Sequence, residues 1–286
     1  MNARTQDRIA TIVLWAIATL VIVIVLWFLG VILKQGLGLV TWHFLTTVPS
    51  EINAGGGVGP ELFNSVYIVF LTLLVLVPLS LGAAIYLVEY AGRNWATNAI
   101  RFSAEALGTL PTIVFGLFGV IIFVIGLHWR LSLIGGALTL VLLNLPLAVR
   151  VSEDALRAVP PSLREGSLAL GATRWQAVYS VMLPSALPAI ITGVVLAAGR
   201  IFGETAALVF TAGQSTDIRR PFDLNPFRQG DTLAVHLWYS NAVSQAPDAR
   251  DVANGTAAVL VLTLLVFNLL ALGLGRVVHR RLTAGA

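Results

Sequence analysis

The sequence predicts an all-α integral membrane protein with six transmembrane helices. Three observations support this prediction: a high hydrophobic fraction, a low charged fraction and several long apolar runs. The chain of 286 residues is 57% hydrophobic and only 11% charged, whereas soluble domains usually carry about 25% charged residues. Several apolar runs exceed the roughly 18 residues that mark a transmembrane helix. The chain has no cysteine, which excludes disulfides, thiol catalysis and cysteine-ligated zinc.

Six apolar spans follow one another, separated by polar connections. The first is far longer than the roughly 7–15 apolar residues of a signal peptide, so we expect an uncleaved helix. The predicted spans are 9–33, 62–88, 106–127, 131–149, 187–212 and 252–275. We expect three units: a first helix with an outer loop at 1–60, the transmembrane domain at 61–278, and a tail at 279–286. A long polar segment, 213–250, holds an apolar stretch at 233–239 that is expected to lie at the outer membrane interface.

Basic residues indicate which side of the membrane each connection faces, because cytoplasmic loops are enriched in arginine and lysine. Six spans place both termini on one side. One side holds eleven of these residues: Arg4, Arg8, Arg93, Arg101, Arg150, Arg157, Arg164, Arg174, Arg276, Arg280 and Arg281. The other holds six: Lys34, Arg130, Arg219, Arg220, Arg228 and Arg250. The bias predicts cytoplasmic termini in an inner or plasma membrane, and the net charge of +4 reflects this topology rather than nucleic-acid binding.

A polar, arginine-bearing segment at 162–184, called the elbow below, separates the fourth and fifth spans. Its start, Ser162-x-x-Glu165, matches a capping box, in which side chains satisfy free backbone donors at a helix N-terminus. Thr173-x-x-Gln176 matches a second capping box. The sequence therefore predicts two short helices on the cytoplasmic side.

Two backbone-breaking residues set the predicted ends of these short helices. Gly171 is expected to adopt the left-handed conformation that ends the first helix. Pro184 is expected to end the second helix before span five begins. The elbow is thus predicted as helix, sharp turn and helix, lying against the membrane.

Span five contains a charged pair, Arg200 and Glu204. From Leu187 to Arg200 the helix would rise about 20 Å, which places Arg200 near or beyond the midplane. A charge there costs about 2.5–3.5 kcal/mol. The pair either neutralises itself across one helical turn and pins the helix in a bundle, or faces a solvated path. In the second case Arg200 meets an anion, because its planar fork suits phosphate or sulfate oxygens, and Glu204 positions or gates it.

Enzymatic chemistry finds little support in the sequence. All four histidines fall outside the predicted spans. The sole lysine, Lys34, is followed by Gln35, whereas a Walker A loop requires Gly-Lys-[Ser/Thr]. We expect no catalytic site, cofactor or metal in this chain, so any ATP used for transport is hydrolysed by a partner.

The elbow resembles the EAA loop of ABC-importer permeases, Glu-Ala-Ala-x3-Gly-x9-Ile-x-Leu-Pro. This chain reads Glu165-Gly166-Ser167-x3-Gly171-x9-Val181-x-Leu183-Pro184. The resemblance implies a type I ABC importer permease (MetI-like) fold, with a cytoplasmic coupling helix between spans four and five that docks on an ATPase dimer. The coupling residues that it implies are Arg164, Glu165, Gly166, Ser167, Gly171, Leu183 and Pro184.

A narrower resemblance links the run Gly-Arg-x-x-Gly-Glu-Thr-x-Ala at 199–207 to phosphate-specific permeases of the PstA-like type. It implies that Arg200, Glu204 and Thr205 belong to a phosphate pathway. It also implies a homologous second permease in a heterodimer and an extracytoplasmic phosphate-binding protein. Three alternatives stay open: an ABC importer for sulfate, molybdate or another solute, a secondary carrier, and a membrane scaffold or sensor.

Overall fold

The structure is a computed structural model that describes residues 3–50, 52–92 and 94–283. Arg93, one of the arginines that predict the topology, and residues 284–286 of the tail lie outside this description. The described chain is helical and contains no strand. Its α-helices are α1 Ala3–Gly36, α2 Trp42–Thr46, α3 Gly59–Ile85, α4 Trp95–Gly108, α5 Thr112–Gly119, α6 Leu133–Arg157, α7 Pro161–Ala169, α8 Arg174–Ala177, α9 Leu183–Phe202, α10 Ala206–Thr211, α11 Leu233–Ala242 and α12 Ala249–Thr283.

Three π-helical segments extend or join these helices. Tyr86–Tyr90 continues α3, Val120–Gly126 continues α5, and Val178–Met182 joins α8 to α9. Five continuous stretches of the described chain are long and apolar enough to cross a membrane: Asp7–Leu39, Gly59–Tyr90, Leu133–Arg157, Arg174–Phe202 and Ala249–Gly273. They overlap five of the predicted spans, and a bent helix pair overlaps the remaining one. The all-α membrane fold is therefore confirmed.

The third predicted span, 106–127, is wrong in its first part. Residues Trp95–Gly108 form a separate helix, and the chain bends by 102° before Thr112–Gly126. Pro111 explains the break, because it has no N–H to donate and disfavours helical geometry at Leu110. Thr109 caps the end of α4 through a hydroxyl bond to the Ala106 carbonyl at 2.8 Å. The third predicted span is therefore part of a bent helix pair and not one straight helix.

The fifth predicted span, 187–212, is wrong at both ends. Helical structure begins at Arg174 and continues without a break to Phe202, so Pro184 does not end the second elbow helix. Pro184 is the second residue after the π-helical segment and lies in the first turn of α9, where proline is best tolerated. The helix stops instead at Gly203, and a short helix, α10, follows.

The core lies where α3, α6, α9 and α10 meet. Ile68, Leu76, Leu140, Ile201 and Leu208 are each almost fully buried there. A second apolar cluster lies beneath the elbow and a third at the opposite end of the bundle. α3 packs along α6, while α12 packs against α9, α11 and α1. Each end of the bundle is thus stabilised by its own apolar cluster.

Helix α1 lies at the periphery and exposes most of its apolar side chains, as a helix surrounded by lipid does. It packs against α12 through a close approach at Gly36. A Cβ atom at Gly36 would lie 2.3 Å from the carbonyl oxygen of Asn254, so only glycine fits this crossing. α11 was expected at the membrane interface, but its residues 233–236 are buried between α3 and α12.

Candidate coupling surface and substrate pathway

The first helix of the elbow, α7, begins two residues earlier than predicted, with Pro160 and not Ser162 as its N-cap. Pro161 occupies its first turn, a position where proline loses nothing by lacking an N–H. Ser162 therefore lies within the helix and cannot act as an extended N-cap residue. No side-chain capping bond forms at this end, so the predicted capping box of Ser162 and Glu165 is wrong.

The remaining turn predictions for the elbow are confirmed. Gly171 has φ +86°, the left-handed geometry that glycine adopts without strain. The capping box of α8 is complete: Thr173 Oγ1 accepts from the Gln176 N–H at 3.3 Å, and Gln176 Oε1 accepts from the Thr173 N–H at 2.8 Å. The turn between α7 and α8 is therefore fixed by backbone geometry and side-chain bonds together.

Arg164 fastens α7 to the end of the second span. Its Nε donates to Glu89 Oε2 at 2.8 Å and its Nη2 to Glu89 Oε1 at 2.6 Å. The Glu89 side chain is only 2% exposed, whereas that of Arg164 is 35% exposed. The hydrogen bonds to Glu89 raise the pKa of the Arg164 guanidinium above its usual value. This bidentate pair joins the elbow to the π-helical turn after α3.

The outer surface of α7 has no cover within the described chain. None of the residues of α7 is buried. Glu165, Gly166 and Gly171 are exposed, and Ser167 is partly exposed. Leu170, at the tip of the elbow, is 92% exposed. Leu183 and Pro184, by contrast, lie partly buried in the helical run, where Leu183 packs on the cluster beneath the elbow.

The charged residues of span five do not form the helical pair that their spacing allows. Arg200 lies in the last turn of α9 and is exposed, while Glu204 lies beyond the end of the helix and is buried. Glu204 Oε1 accepts from the Ala207 N–H at 3.4 Å, at the start of α10. No ion pair joins the two residues in the described structure. Thr205, between the two helices, is partly exposed.

The far end of the bundle holds buried polar residues that sequence reasoning missed. Glu61, Asp231 and His236 lie together there, although 170 positions separate the first from the second in the chain. Asn64 bridges them to Arg228, whose Nη2 donates to Asn64 Oδ1 at 2.6 Å. Burial lowers the pKa of Arg228 below its usual value. One signal was available: Glu61 is an acid in the first turn of an apolar span.

One helical run has the uncovered elbow at one end and a break beside an exposed arginine at the other. These features are typical of a membrane permease that works with a partner. The chain belongs to the family of binding-protein-dependent transport system inner membrane components, whose model matches residues 76–284. It is thus the permease subunit of an ABC importer and a multi-pass membrane protein.

The relatives agree on the class and vary in the cargo that their names state. The chain is 46% identical to the probable ABC transporter permease protein YqgI of Bacillus subtilis, covering 99% of this chain and 100% of the relative. It is 32% identical to the phosphate transport system permease protein PstA of Yersinia pestis, covering 81% and 83%. PstA 1 of Mycobacterium tuberculosis is 31% identical, covering 98% and 92%.

Solved structures of importers share the fold. A chain of a bacterial alginate ABC transporter, in complex with an alginate-bound periplasmic protein, matches with a TM-score of 0.66 at 16% identity, covering 93% of this chain and 95% of that one. The inward-facing MetNI methionine ABC transporter matches with a TM-score of 0.59 at 20% identity, covering 78% and 94%. At these identities the matches establish the MetI-like fold alone.

Proposed function

We propose that this chain forms half of the translocation pathway of an ATP-driven phosphate importer and couples it to a separate ATPase dimer. The observation that carries this proposal is the single helical run Arg174–Phe202, which begins in the uncovered elbow and ends beside the exposed Arg200. Movement of the elbow by a partner would therefore reach the arginine through one continuous helix. The elbow is cytoplasmic in this proposal, as are both termini.

The coupling role rests on the exposed surface of the elbow. Leu170, which is 92% exposed at the tip of the elbow, adds an apolar side chain to a surface on which no residue of α7 is buried. The residues at this surface are Glu165, Gly166, Ser167 and Gly171. Arg164 has a different role, since it holds the elbow to Glu89. ATP is bound and hydrolysed by the partner, and this chain needs no cofactor for that step.

The phosphate assignment rests on chemistry and on two relatives. An exposed guanidinium at the end of a transmembrane helix is suited to an oxyanion that accepts two parallel hydrogen bonds. Two relatives at 31–32% identity are phosphate transport permeases by name. Glu204 would position or gate the anion, and Thr205 would line the same break. A phosphate-binding protein would deliver the anion on the side opposite the elbow.

A second, homologous permease would complete the pathway. Arg200 points away from the core of its own chain, as expected if it faces a path between two subunits. Two Bacillus subtilis permeases, YqgI and YqgH, both resemble this chain, at 46% and 34% identity. A pair of related permeases in one organism supports a heterodimer of this kind.

The test is uptake of labelled phosphate by the reconstituted complex. Arg200→Ala should lower uptake roughly tenfold or more, because it removes a charge-assisted pair of hydrogen bonds to the anion. The complex should still assemble with its ATPase. Arg219→Ala, which removes an exposed arginine of the segment 213–250, should leave uptake within about twofold.

Unimpaired uptake by Arg200→Ala would overturn the pathway assignment. A wild-type complex that imports sulfate or molybdate but not phosphate would keep the importer class and replace the cargo. Transport by this chain alone, without ATP, would instead identify a secondary carrier.

A further inference from the structure

Three buried side chains from distant parts of the chain converge at the end of the bundle opposite the elbow. One carboxylate oxygen from each of Glu61 and Asp231 and one imidazole nitrogen of His236 lie within 4.8 Å of one another. Glu61 is in the first turn of α3, His236 is in α11, and Asp231 comes just before Thr232, the N-cap residue of α11. None of the three residues is more than 7% exposed. Atoms this close, of these types, are a potential ligand set for a cation.

Glu61 has no partner for its carboxylate in the described structure. Both of its oxygens are buried without a hydrogen bond, and Nε2 of His236 is also unpartnered. An unpaired buried carboxylate is strongly destabilising, because burial removes its hydration and nothing replaces it. The carboxylate is fully buried and directed at Asp231 and His236. Either a proton or a bound cation must therefore compensate this carboxylate.

Neighbouring protein cations do not supply that charge. No arginine or lysine nitrogen of the described residues lies within 4.0 Å of the Glu61 or Asp231 carboxylates. Arg228 reaches the group only through the amide of Asn64. His236 Nδ1 lies 3.4 Å from Asp231 Oδ2, and one imidazolium could balance only one of the two carboxylates. A dication would balance both while His236 stays neutral.

Surrounding groups hold the converging side chains in place. Thr216 donates its hydroxyl to Asp231 Oδ1 at 2.6 Å, and Asn64 donates its amide to the Asp231 carbonyl at 2.9 Å. Ser65 accepts from the N–H of Leu233 at 2.8 Å, which joins α3 to the start of α11. Oriented ligands of this kind are typical of metal sites, where outer hydrogen bonds fix the ligating atoms.

A cavity gives access from outside the bundle. It has a volume of about 300 Å³, and Asp231 and His236 line it together with Thr216 and residues of the loop near Ser50. A hydrated ion can therefore reach two of the three side chains without crossing the apolar core. The same cavity can supply water as a further ligand.

We infer that Glu61, Asp231 and His236 bind one divalent transition-metal ion, of which Zn²⁺ and Mn²⁺ fit best. Imidazole favours Zn²⁺ and similar ions, whereas carboxylates favour Mn²⁺ and harder ions, so a set of two oxygens and one nitrogen suits ions of intermediate softness. The ion would fasten the start of α3 to α11 and to the segment that precedes it. This proposal differs from the expectation from sequence that the chain binds no metal.

The first experiment measures metal content in the full chain, purified in detergent from cells grown with added Zn²⁺ or Mn²⁺. Wild type should retain about one equivalent of one of these ions per chain. Glu61→Gln and His236→Gln should each retain under about a tenth of an equivalent. The controls are His43→Gln and Asp251→Asn, an exposed histidine and an exposed acid, which should retain the wild-type content.

A second experiment does not depend on the folding of any variant. Wild-type chain stripped with EDTA is titrated with Co²⁺ as a spectroscopic probe and, separately, with Zn²⁺. Saturable visible d–d bands that Zn²⁺ displaces, with a rise in the thermal unfolding midpoint, would support the site. A wild-type chain that holds no metal and shows neither the bands nor the rise would overturn it, and would indicate that Glu61 and Asp231 share a proton instead.

Discussion

At the scale of single residues, Glu89 and Arg164 decide how the elbow is held. Glu89 is nearly inaccessible to solvent and accepts two hydrogen bonds from Arg164, which are the only hydrogen bonds between α7 and the second span in the described chain. A buried carboxylate that loses its cation is left uncompensated, which costs more than the pair itself contributes. The elbow position should therefore depend on Arg164 even though that arginine lies near the surface.

We predict that Arg164→Ala lowers the thermal unfolding midpoint of the purified chain by roughly 2–10 °C, because it leaves the Glu89 carboxylate unpaired. The measurement is thermal unfolding in detergent. Arg174→Ala removes an exposed arginine of the same elbow and should change the midpoint by no more than about 1 °C. Adding Glu89→Gln to Arg164→Ala should recover part of the loss, and a double variant no more stable than the single one would contradict this explanation.

Arg200 and Glu204 show how far spacing can mislead at this scale. Residues four apart face each other only if the helix continues through both. Here the helix ends at Phe202, so Arg200 turns outward and Glu204 turns inward to α10. Of the two alternatives open from sequence, a self-neutralising pair is wrong in the described structure. A role for Arg200 toward an anion stays a proposal.

At the scale of elements, the turn between α7 and α8 depends on one backbone conformation. A non-glycine residue in the left-handed region costs about 1–2 kcal/mol, and more if it is β-branched. The Cβ of a substituted Gly171 would meet no atom within 4 Å, so the cost arises from the backbone and not from crowding. Substitution there should distort the elbow and leave the core intact.

We predict that Gly171→Val lowers the amount of copurifying ATPase subunit tenfold or more, because more than about 2 kcal/mol of strain moves the elbow out of its docking geometry. The measurement is affinity purification of this chain followed by quantification of the ATPase. Gly30→Ala is the matched control: it too has open space around the new Cβ, but it lies within α1 with helical geometry and outside the docking surface. Equal recovery from both variants would rule out this role for the turn.

Sequence patterns predicted most elements and misplaced their ends. Hydrophobic runs located every span, and local signals located Gly171 and the Thr173–Gln176 cap, because these depend on residues close in the chain. Apolar composition alone does not reveal a bend, so the breaks at Pro111 and Gly203 were missed. Pro184 was misread because it lies in the first turn of α9, where proline is best tolerated.

The candidate sites were predictable only where their residues are near one another in the chain. The elbow is a continuous segment, so its spacing identified it. Glu89 is 75 positions from Arg164, and Asn64 is 167 positions from Asp231. No local sequence pattern predicts contacts between residues so far apart in the chain. These contacts form because α3 runs from one end of the bundle to the other.

At the scale of the whole molecule, the exposed apolar surface must face either lipid or another subunit. Helix α1 projects from the bundle and contacts α12, whereas α9 lies in the centre and still exposes a face with Leu196 and Arg200 one turn apart. A charged residue is costly against lipid. This face is therefore expected to meet a second permease across a polar path.

We predict that benzophenone maleimide attached at Leu196→Cys photo-crosslinks this chain to the second permease in the assembled complex. The chain has no native cysteine, so the label has one site. Leu196 is 70% exposed, and Trp15, in α1, is 71% exposed. Trp15→Cys is thus a matched control that should give no permease adduct, and adducts from Trp15→Cys but not from Leu196→Cys would place the interface on α1.

The uninterrupted helix from the elbow to Arg200 would also convert a small tilt at the elbow into a larger displacement at Arg200. Arg174 and Arg200 are 26 positions apart, a separation of about 39 Å along the axis. If the helix moves as a rigid rod, a tilt of about 5° at the elbow displaces the other end by about 3 Å, which is the length of one hydrogen bond. In the proposed transport cycle, such a displacement would bring an anion into hydrogen-bonding distance of Arg200 or take it out of that distance.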